Sequence, residues 1–524
     1  LPGIQSGWGR AFLPDRRFLN PPTTAAQLSV MSLVKKLAGE TVMYGLSSIV
    51  GRLLNMLLVP FYTRVLHTTN EYGAVIDLYA TSAFIMVFFS YRMESAFFRY
   101  GTPADDRDRA FGSGMISLLA STAVISFLLI AFAQPVADVL QYSQHPEYIR
   151  WFTLILAFDC LAELPFARLR LEQRPRRFVA IKLINIGVNI GMNLFWLVLC
   201  PWAASHGMDW VHAVWAPGLG VGYIFLSNLL ASVVTLVLLS PQLRGIRGVF
   251  DRVLWKKMIL YAAPLIIVSL AGIANEMFSR SMLKYLLPGT PQENLGQVGI
   301  FGANYKLAAL ITLFTQAYRY AAEPFFFRHA ADQDAMRTQA QVTKWFTITS
   351  AAGMLAILLF LDIVKHFIAP KYWSGLHVVP VLLAANLLLG VYYNFSIWYR
   401  LKDRTALGAW ISVIGAIITI ALNLVLIPKF GYSGASWVTL VCYLFMSGAT
   451  WYTGQKHYPV PYEMGRMLLY VLLVFALWAI MLATQPYLTA MPVILWSVRV
   501  ILLAVFAGAV YLWEIKGRRN LSNV

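Results

Sequence analysis

The chain has 524 residues, of which 59% are hydrophobic and only 13% charged, with 42 Lys and Arg against 24 Asp and Glu for a net charge of +18. A soluble domain carries about 25% charged residues, so this composition excludes a water-coated globule of this size. Apolar blocks of about 20 residues, the length a helix needs to cross ~30 Å of hydrocarbon, recur along the chain, and without period-two alternation they read as helices rather than as strands of a barrel.

In chain order, residues 1–34 contain Pro14, Arg16, Arg17, Pro21 and Pro22 and no apolar signal-peptide core, so they read as a disordered or non-native extension. About fourteen spans are expected, near 41–64, 73–94, 111–133, 149–168, 178–200, 222–240, 257–284, 297–318, 341–362, 377–399, 407–428, 435–454, 466–484 and 493–514. They divide into an N-lobe of six spans over 35–240, a basic interfacial linker over 241–257, a C-lobe of six spans over 258–456, and two extra spans with a cytoplasmic tail over 457–524. An even number of spans puts both termini on one side. Most of the basic residues fall there, among them Lys35, Lys36, Arg107, Arg109, Arg174, Arg244, Arg247, Arg400, Arg404 and Arg518. That bias makes both termini cytoplasmic and accounts for the positive charge without nucleic acid. The expected setting is the bacterial cytoplasmic (inner) membrane, with anionic headgroups as secondary contacts of the basic loops.

The external loops are short, the longest being about 201–222, and leave no room for an extramembrane catalytic domain. Cys160, Cys200 and Cys442 lie in or beside apolar blocks with no metal-ligand spacing, and read as apolar fillers. Walker A, HExxH and GxSxG patterns are missing. No cofactor or metal is expected, and the chain reads as a secondary transporter rather than an enzyme.

The spans carry an internal repeat. Phe61-Tyr-Thr-Arg64-Val-Leu66 is echoed by Phe278-Ser-Arg280-Ser-Met-Leu283. The spans that follow each pair a glycine with a tyrosine six residues on, Gly73 with Tyr79 and Gly299 with Tyr305. Six spans separate the copies, so they share one orientation. That predicts two lobes related by an axis along the membrane normal, with a site between them.

Several stretches together resemble the polysaccharide-transporter branch of the multidrug/oligosaccharidyl-lipid/polysaccharide flippase superfamily. They are Gly45 to Asn55, Pro60-Phe-Tyr-Thr-Arg64, Val298 to Leu307, Gln316-Ala-Tyr-Arg-Tyr-Ala-Ala-Glu-Pro324, and Ile427-Pro-Lys-Phe-Gly-Tyr-Ser-Gly-Ala435. The resemblance covers about 35–515. It implies an all-α polytopic fold of about 14 transmembrane helices, in two pseudo-symmetric six-helix lobes plus two C-terminal helices. It also implies a flippase that moves polyprenyl-diphosphate-linked oligosaccharide for surface polysaccharide or lipopolysaccharide assembly. Membrane lipids, a glycan polymerase and glycosyltransferases are the partners that follow. One departure is Ser279, where relatives often carry an acid before the seventh-span arginine; the nearest acid here is Glu276, four residues before Arg280 and on the same helix face.

A charge in mid-membrane is expensive unless it faces protein or water. Counting inward from the span ends, Arg52 and Lys306 sit near the midplane and Arg64 and Arg280 near the outer ends. These four are the candidate ligands of the diphosphate, since a guanidinium fork bonds two phosphate oxygens at once. Asp159 and Glu163, four apart in one span, are candidates with Glu276 for ion coupling or internal pairing; a bland alternative pairs Arg52 with Asp159 or Glu163. Arg499 reads as a snorkelling side chain. Asn185, Asn189 and Asn193 read as helix–helix hydrogen bonders. Pro60, Pro165, Pro264 and Pro380 are placed to bend helices during alternating access. A lipid-linked peptidoglycan-precursor flippase and a multidrug antiporter stay open as alternatives.

Overall fold

The computed structural model describes residues 50–243, 250–330, 332–488 and 490–516. The expected extension over 1–34, the start of the first span, Arg244, Arg247 and Arg518 lie outside the described residues. Within them the chain is helical, without a strand. In the first half, α1 (50–65) leads to α2 (Thr69–Ser90), the short α3 (Met93–Tyr100), α4 (Ala104–Ala131), the short α5 (Ala133–Val139), α6 (Pro146–Leu171), α7 (Pro175–Leu194), the short α8 (Cys200–Ser205) and α9 (Gly222–Leu243). The second half holds α10 (Arg252–Leu286), α11 (Pro291–Ala308), α12 (Leu310–Arg328), α13 (Ala335–Leu359), the short α14 (Leu361–Val364), α15 (Val379–Phe395) with its short continuation α16 (Ile397–Leu401), and α17 (Thr405–His457). The last two helices are α18 (Met464–Leu488) and α19 (Pro492–Val510).

Ten of the described helical segments are long and apolar enough to cross a membrane, and an eleventh is added if α11 and α12, bent by 47°, are taken as one span. The 53-residue α17 is two passages joined at Gly431, whose φ of 58° and ψ of −140° break the helix. At Gly434 a Cβ would lie 2.4 Å from the Leu426 carbonyl oxygen, so only glycine lets the second passage start against the end of the first. This is the Pro-x-aromatic-Gly-x-x-Gly turn singled out in the sequence. With these two passages counted separately and the α11–α12 pair taken as one, the described residues hold twelve; α6 and the described part of α1 stand at two further expected spans. α6 has the length, 26 residues, but carries Asp159 and Glu163 in its middle. Large apolar side chains such as Val124, Phe127, Trp410, Leu444 and Val500 stand exposed, as a lipid-facing surface requires.

α2, α4, α6, α7 and α9 pack on one another, as do α10, α11, α13, α15 and α17, which gives the two lobes. α10 belongs to both. Its first turns, with Met258 and Ala262, are buried in the apolar cluster of α3, α4 and α6, while its later part packs along α17 and α2. Asp251 starts the helix, accepting hydrogen bonds from the Val253 and Leu254 amides at 3.0 Å. Arg109 holds the same carboxylate at 2.5 Å. An N-cap carboxylate of this kind satisfies amides that otherwise lack partners.

The two C-terminal helices are fastened to α13 and its outer turn by ions. Lys344 of α13, fully buried, lies 2.6 Å from Glu463 and 2.6 Å from Glu514. Toward the other end Arg499 of α19 donates to Asp362 at 2.8 Å. Arg499 therefore does not snorkel to water: only 2% of it is exposed, because an acid on the neighbouring helix meets it inside the bundle. Of the three asparagines on α7, Asn185 bridges to α9 through the Ala231 carbonyl and Thr235, whereas Asn193 donates back to Asn189 of its own helix.

Candidate functional site

A cavity of about 250 Å³ opens where α1, α10, α11, α12 and α15 converge. Arg52 and Asn55 enter it from α1, Glu276 and Arg280 from α10, and Lys306 from the last turn of α11. Tyr305 of α11, Thr312, Thr315 and Gln316 of α12, and Asn386 and Tyr393 of α15 complete its polar lining. The bend at Ala309 lies in the wall. α11 ends and α12 begins on either side of it, and no proline stands there. A bend of 47° therefore stands beside Lys306, where one residue turns the α11 end away from the α12 start.

Three cations face one carboxylate in this space. Arg52 on α1 is exposed, and so is Glu276 on α10. Among the described residues no ion pair joins Arg52 to Asp159 or Glu163, nor Glu276 to Arg280. Arg280 is buried, with its guanidinium 4.0 Å over the Tyr305 ring. Its Nε has no hydrogen-bond partner, and neither has the side-chain amide of Asn386. Buried polar groups without partners are uncommon, and here both belong to the cavity lining. Ser279, the position departing from the family pattern, turns the other way: it accepts a hydrogen bond from Asn423 at 2.9 Å inside the C-lobe.

Four of the seven residues singled out from the sequence therefore meet at one cavity: Arg52, Glu276, Arg280 and Lys306. Asp159 and Glu163 are elsewhere, inside the N-lobe, where Asp159 accepts from Ser232 at 2.7 Å. Arg64 is elsewhere too. It donates to the Pro60 carbonyl of its own helix at 2.8 Å and to the His366 carbonyl at 2.5 Å.

Arg64 belongs to a closure between the lobes at the end of the bundle that carries the α1–α2 and α10–α11 turns. The Ala369 amide donates to Thr63 at 3.3 Å, and Lys371 donates to the Leu66 carbonyl. α2 and α11 touch backbone to backbone: a Cβ on Gly73 would lie 1.9 Å from the Leu295 oxygen, and one on Gly299 2.2 Å from the Thr69 oxygen. The paired glycines of the internal repeat thus face each other across the pseudo-twofold relation. Deeper in the same closure, Lys284 of α10 lies 3.0 Å from Asp77 of α2 with both side chains all but inaccessible, 0% and 2%. Asp77 also accepts from Tyr142 at 2.8 Å, and Lys284 donates to the Leu140 carbonyl and stands 3.7 Å over the Tyr142 ring. Asp77 and Lys284 escaped the sequence reading. Each was visible as a charge near a span end, but nothing in the linear order set the two helices in register.

Residues 37–329 match the family described as polysaccharide biosynthesis protein. Among solved structures, the chain is similar to the lipid II flippase MurJ in an inward closed conformation, with a TM-score of 0.64 and 10% identity over 90% of this chain and 100% of that one. An inward-facing multidrug resistance MATE family transporter of the MOP superfamily matches with a TM-score of 0.57 and 13% identity over 83% of this chain and 95% of the other. The Vibrio cholerae MATE transporter VcmN in its bent form matches at 0.52 and 13% identity, covering 85% and 100% of the two chains. No curated protein matches the sequence. At these identities the likeness is one of fold.

Proposed function

Because the chain belongs to the polysaccharide biosynthesis protein family, we propose that it is a flippase that moves polyprenyl-diphosphate-linked oligosaccharide across the bacterial cytoplasmic membrane by alternating access, as a secondary transporter and not an enzyme. The observation that carries the reading is the convergence of Arg52, Arg280 and Lys306, from three helices, on a cavity with Glu276 as its exposed acid. A diphosphate leaving water needs cations to replace its hydration. Planar guanidinium groups suit its oxygens, and the unpartnered Arg280 Nε and Asn386 amide supply hydrogen-bonding capacity that the resting protein leaves unused.

With both termini cytoplasmic, the closure around Asp77, Lys284, Gly73 and Gly299 is on the external side and the cavity loads from inside. The headgroup and sugars occupy the cavity while the polyprenyl tail stays in lipid. Outward passage then requires the closure to part. With the inside negative, moving ~2 negative charges outward at about 100 mV releases roughly 4–5 kcal/mol, comparable to the contacts that must break. Membrane lipids surround the carrier, and glycosyltransferases and a glycan polymerase act before and after it.

The test is a strain lacking the gene, with its lipid extract analysed by mass spectrometry beside its surface glycan. Accumulated polyprenyl-diphosphate oligosaccharide with lost surface polymer, restored by the wild-type chain and not by Arg52→Ala at equal protein level, is the expected result. Accumulation of a lipid-linked peptidoglycan precursor instead would move the assignment to that substrate. Unchanged lipid-linked glycans with altered drug sensitivity would replace it with a multidrug antiporter.

A further inference from the structure

Outside the cavity, on the side away from the lobe closure, three charged side chains share a single oxygen. Arg319 of α12 donates to Glu323 Oε1 through Nε at 3.2 Å and through Nη2 at 3.0 Å. Arg400, at the end of α16, places Nη1 3.1 Å from the same Oε1. All three side chains are half-buried, at 29%, 32% and 29% exposure for Arg319, Glu323 and Arg400. Two guanidinium groups on one carboxylate leave an excess positive charge in a partly desolvated place, where an anion is favoured more than on an open surface. A tie between α12 and α16 would need only one of these arginines.

The cluster is joined to the cavity. The Arg319 guanidinium lies 3.8 Å over the ring of Tyr393, and Tyr393 lines the cavity. Gln316, another lining residue, precedes Arg319 by three positions on α12, a rise of ~4.5 Å. An anion held at Arg319 and Arg400 is therefore about one helical turn from the cavity lining, with an aromatic face between the two positions.

We infer that Arg319, Arg400 and Glu323 form a loading site for the diphosphate at the cavity mouth, in which the Glu323 carboxylate stands in for the substrate and is displaced by it. The inference rests on the diphosphate-linked substrate proposed above. One carboxylate oxygen keeps the two forks converged, so the site is arranged before substrate arrives. A diphosphate brings more oxygens and more negative charge than Glu323 and bonds both forks at once. Displacing Glu323 frees Arg319 to follow the phosphate along the Tyr393 face toward Arg280 and Lys306. Tight binding at the mouth would stall transfer, and the competing carboxylate keeps it moderate.

The two variants that test this have opposite expected signs. The full chain in proteoliposomes is assayed for transbilayer movement of a polyprenyl-diphosphate oligosaccharide over a range of substrate concentrations. Arg400→Gln is expected to raise the half-saturating concentration about tenfold with the maximal rate unchanged, and Glu323→Gln to lower it several-fold, because it removes the competitor and leaves both cations. A structural tie predicts the same direction for both variants, since either breaks it. If the two variants behave alike, or like the wild type, the loading site is wrong while the flippase reading stands. If the wild type moves no such lipid, the flippase reading falls and takes the loading site with it. Arg400→Lys, which keeps the charge and loses the fork, separates the roles should Arg400→Gln not fold; it is expected to give an intermediate shift, and a wild-type value would count against a fork-held diphosphate.

Discussion

Replacing Lys284 by Met takes one partner from an ion pair that bridges the lobes at 3.0 Å with neither side chain accessible. The Asp77 carboxylate would keep only the Tyr142 hydroxyl as a partner at its Oδ2, and its Oδ1 already has none. Breaking a buried pair by removing one member costs about 3–5 kcal/mol, because the remaining charge is left uncompensated. Asp77 is on α2 of the N-lobe and Lys284 on α10, so parting the lobes gives the carboxylate access to water and relieves that cost. The closed arrangement is then disfavoured relative to the opened one by a factor on the order of 10²–10³. Spin labels at His67 and Ser374, two exposed positions on opposite sides of the closure, report the opening as a distance. The wild type is expected to show a single short separation, Lys284→Met a dominant longer one, and Asp77→Asn combined with Lys284→Met a return toward the short one, since no charge is then stranded. An unchanged short distance in a well-folded Lys284→Met protein would refute the argument that this pair holds the lobes together.

Three further expectations follow from named contacts. Gly73→Ala and Gly299→Ala put a methyl within 1.9 Å and 2.2 Å of backbone oxygens, so each should open the same closure or abolish folding, whereas Gly187→Ala, with no neighbour within 4 Å, should leave the label distance as it is. Asp362→Ala should destabilise the protein by about 3–5 kcal/mol, because it strands Arg499 at 2% exposure; Arg499→Ala should cost less, because the aspartate it leaves is 36% exposed and rehydrates. Thermal unfolding in detergent measures both, and equal losses would contradict that asymmetry. The Leu254 amide bonded to Asp251, against a smaller opposing effect of desolvation, and the adjacent Arg109 hold its pKa below the usual carboxylate value. A depressed folded-state pKa gives a contribution present above the unfolded value of ~3.9 and lost as pH falls through the folded one. Hydrogen exchange at the Val253 and Leu254 amides, compared between Asp251→Asn and wild type across that range, should therefore show wild-type protection disappearing only at the acid end.

The span pattern and the site were legible to different degrees, for physical reasons. An apolar block of membrane length is a local property, so fourteen passages could be placed from the chain alone. The cost of a mid-membrane charge is local as well and marks Arg52 and Lys306, while the repeat marks Arg280 and the departure at Ser279 marks Glu276; all four line one cavity. Contacts between helices are not local. Arg64 and Arg280 occupy matching places in the repeat, yet Arg64 ends in the lobe closure and Arg280 in the cavity. Asn386 and Tyr393 lie in an ordinary apolar span and carry no charge to mark them. Arg499 reads from the sequence as a snorkelling side chain, and only the packing of α19 beside the α13–α14 turn pairs it with Asp362.

The same distinction separates what the repeat dictates from what it leaves free. The repeat supplies a glycine at matching places in α2 and α11, and Gly73 and Gly299 meet because only glycine permits the approach. Symmetry favours a contact of this kind, since each copy supplies the partner the other needs. A site for a polar headgroup with one direction of travel has no such requirement. Its lining comes from the second copy and from α1 alone, its cations follow no repeat spacing, and the bend at Ala309 falls in one copy's second helix. The two copies are thus equivalent in the glycine closure and differ in the cationic cavity.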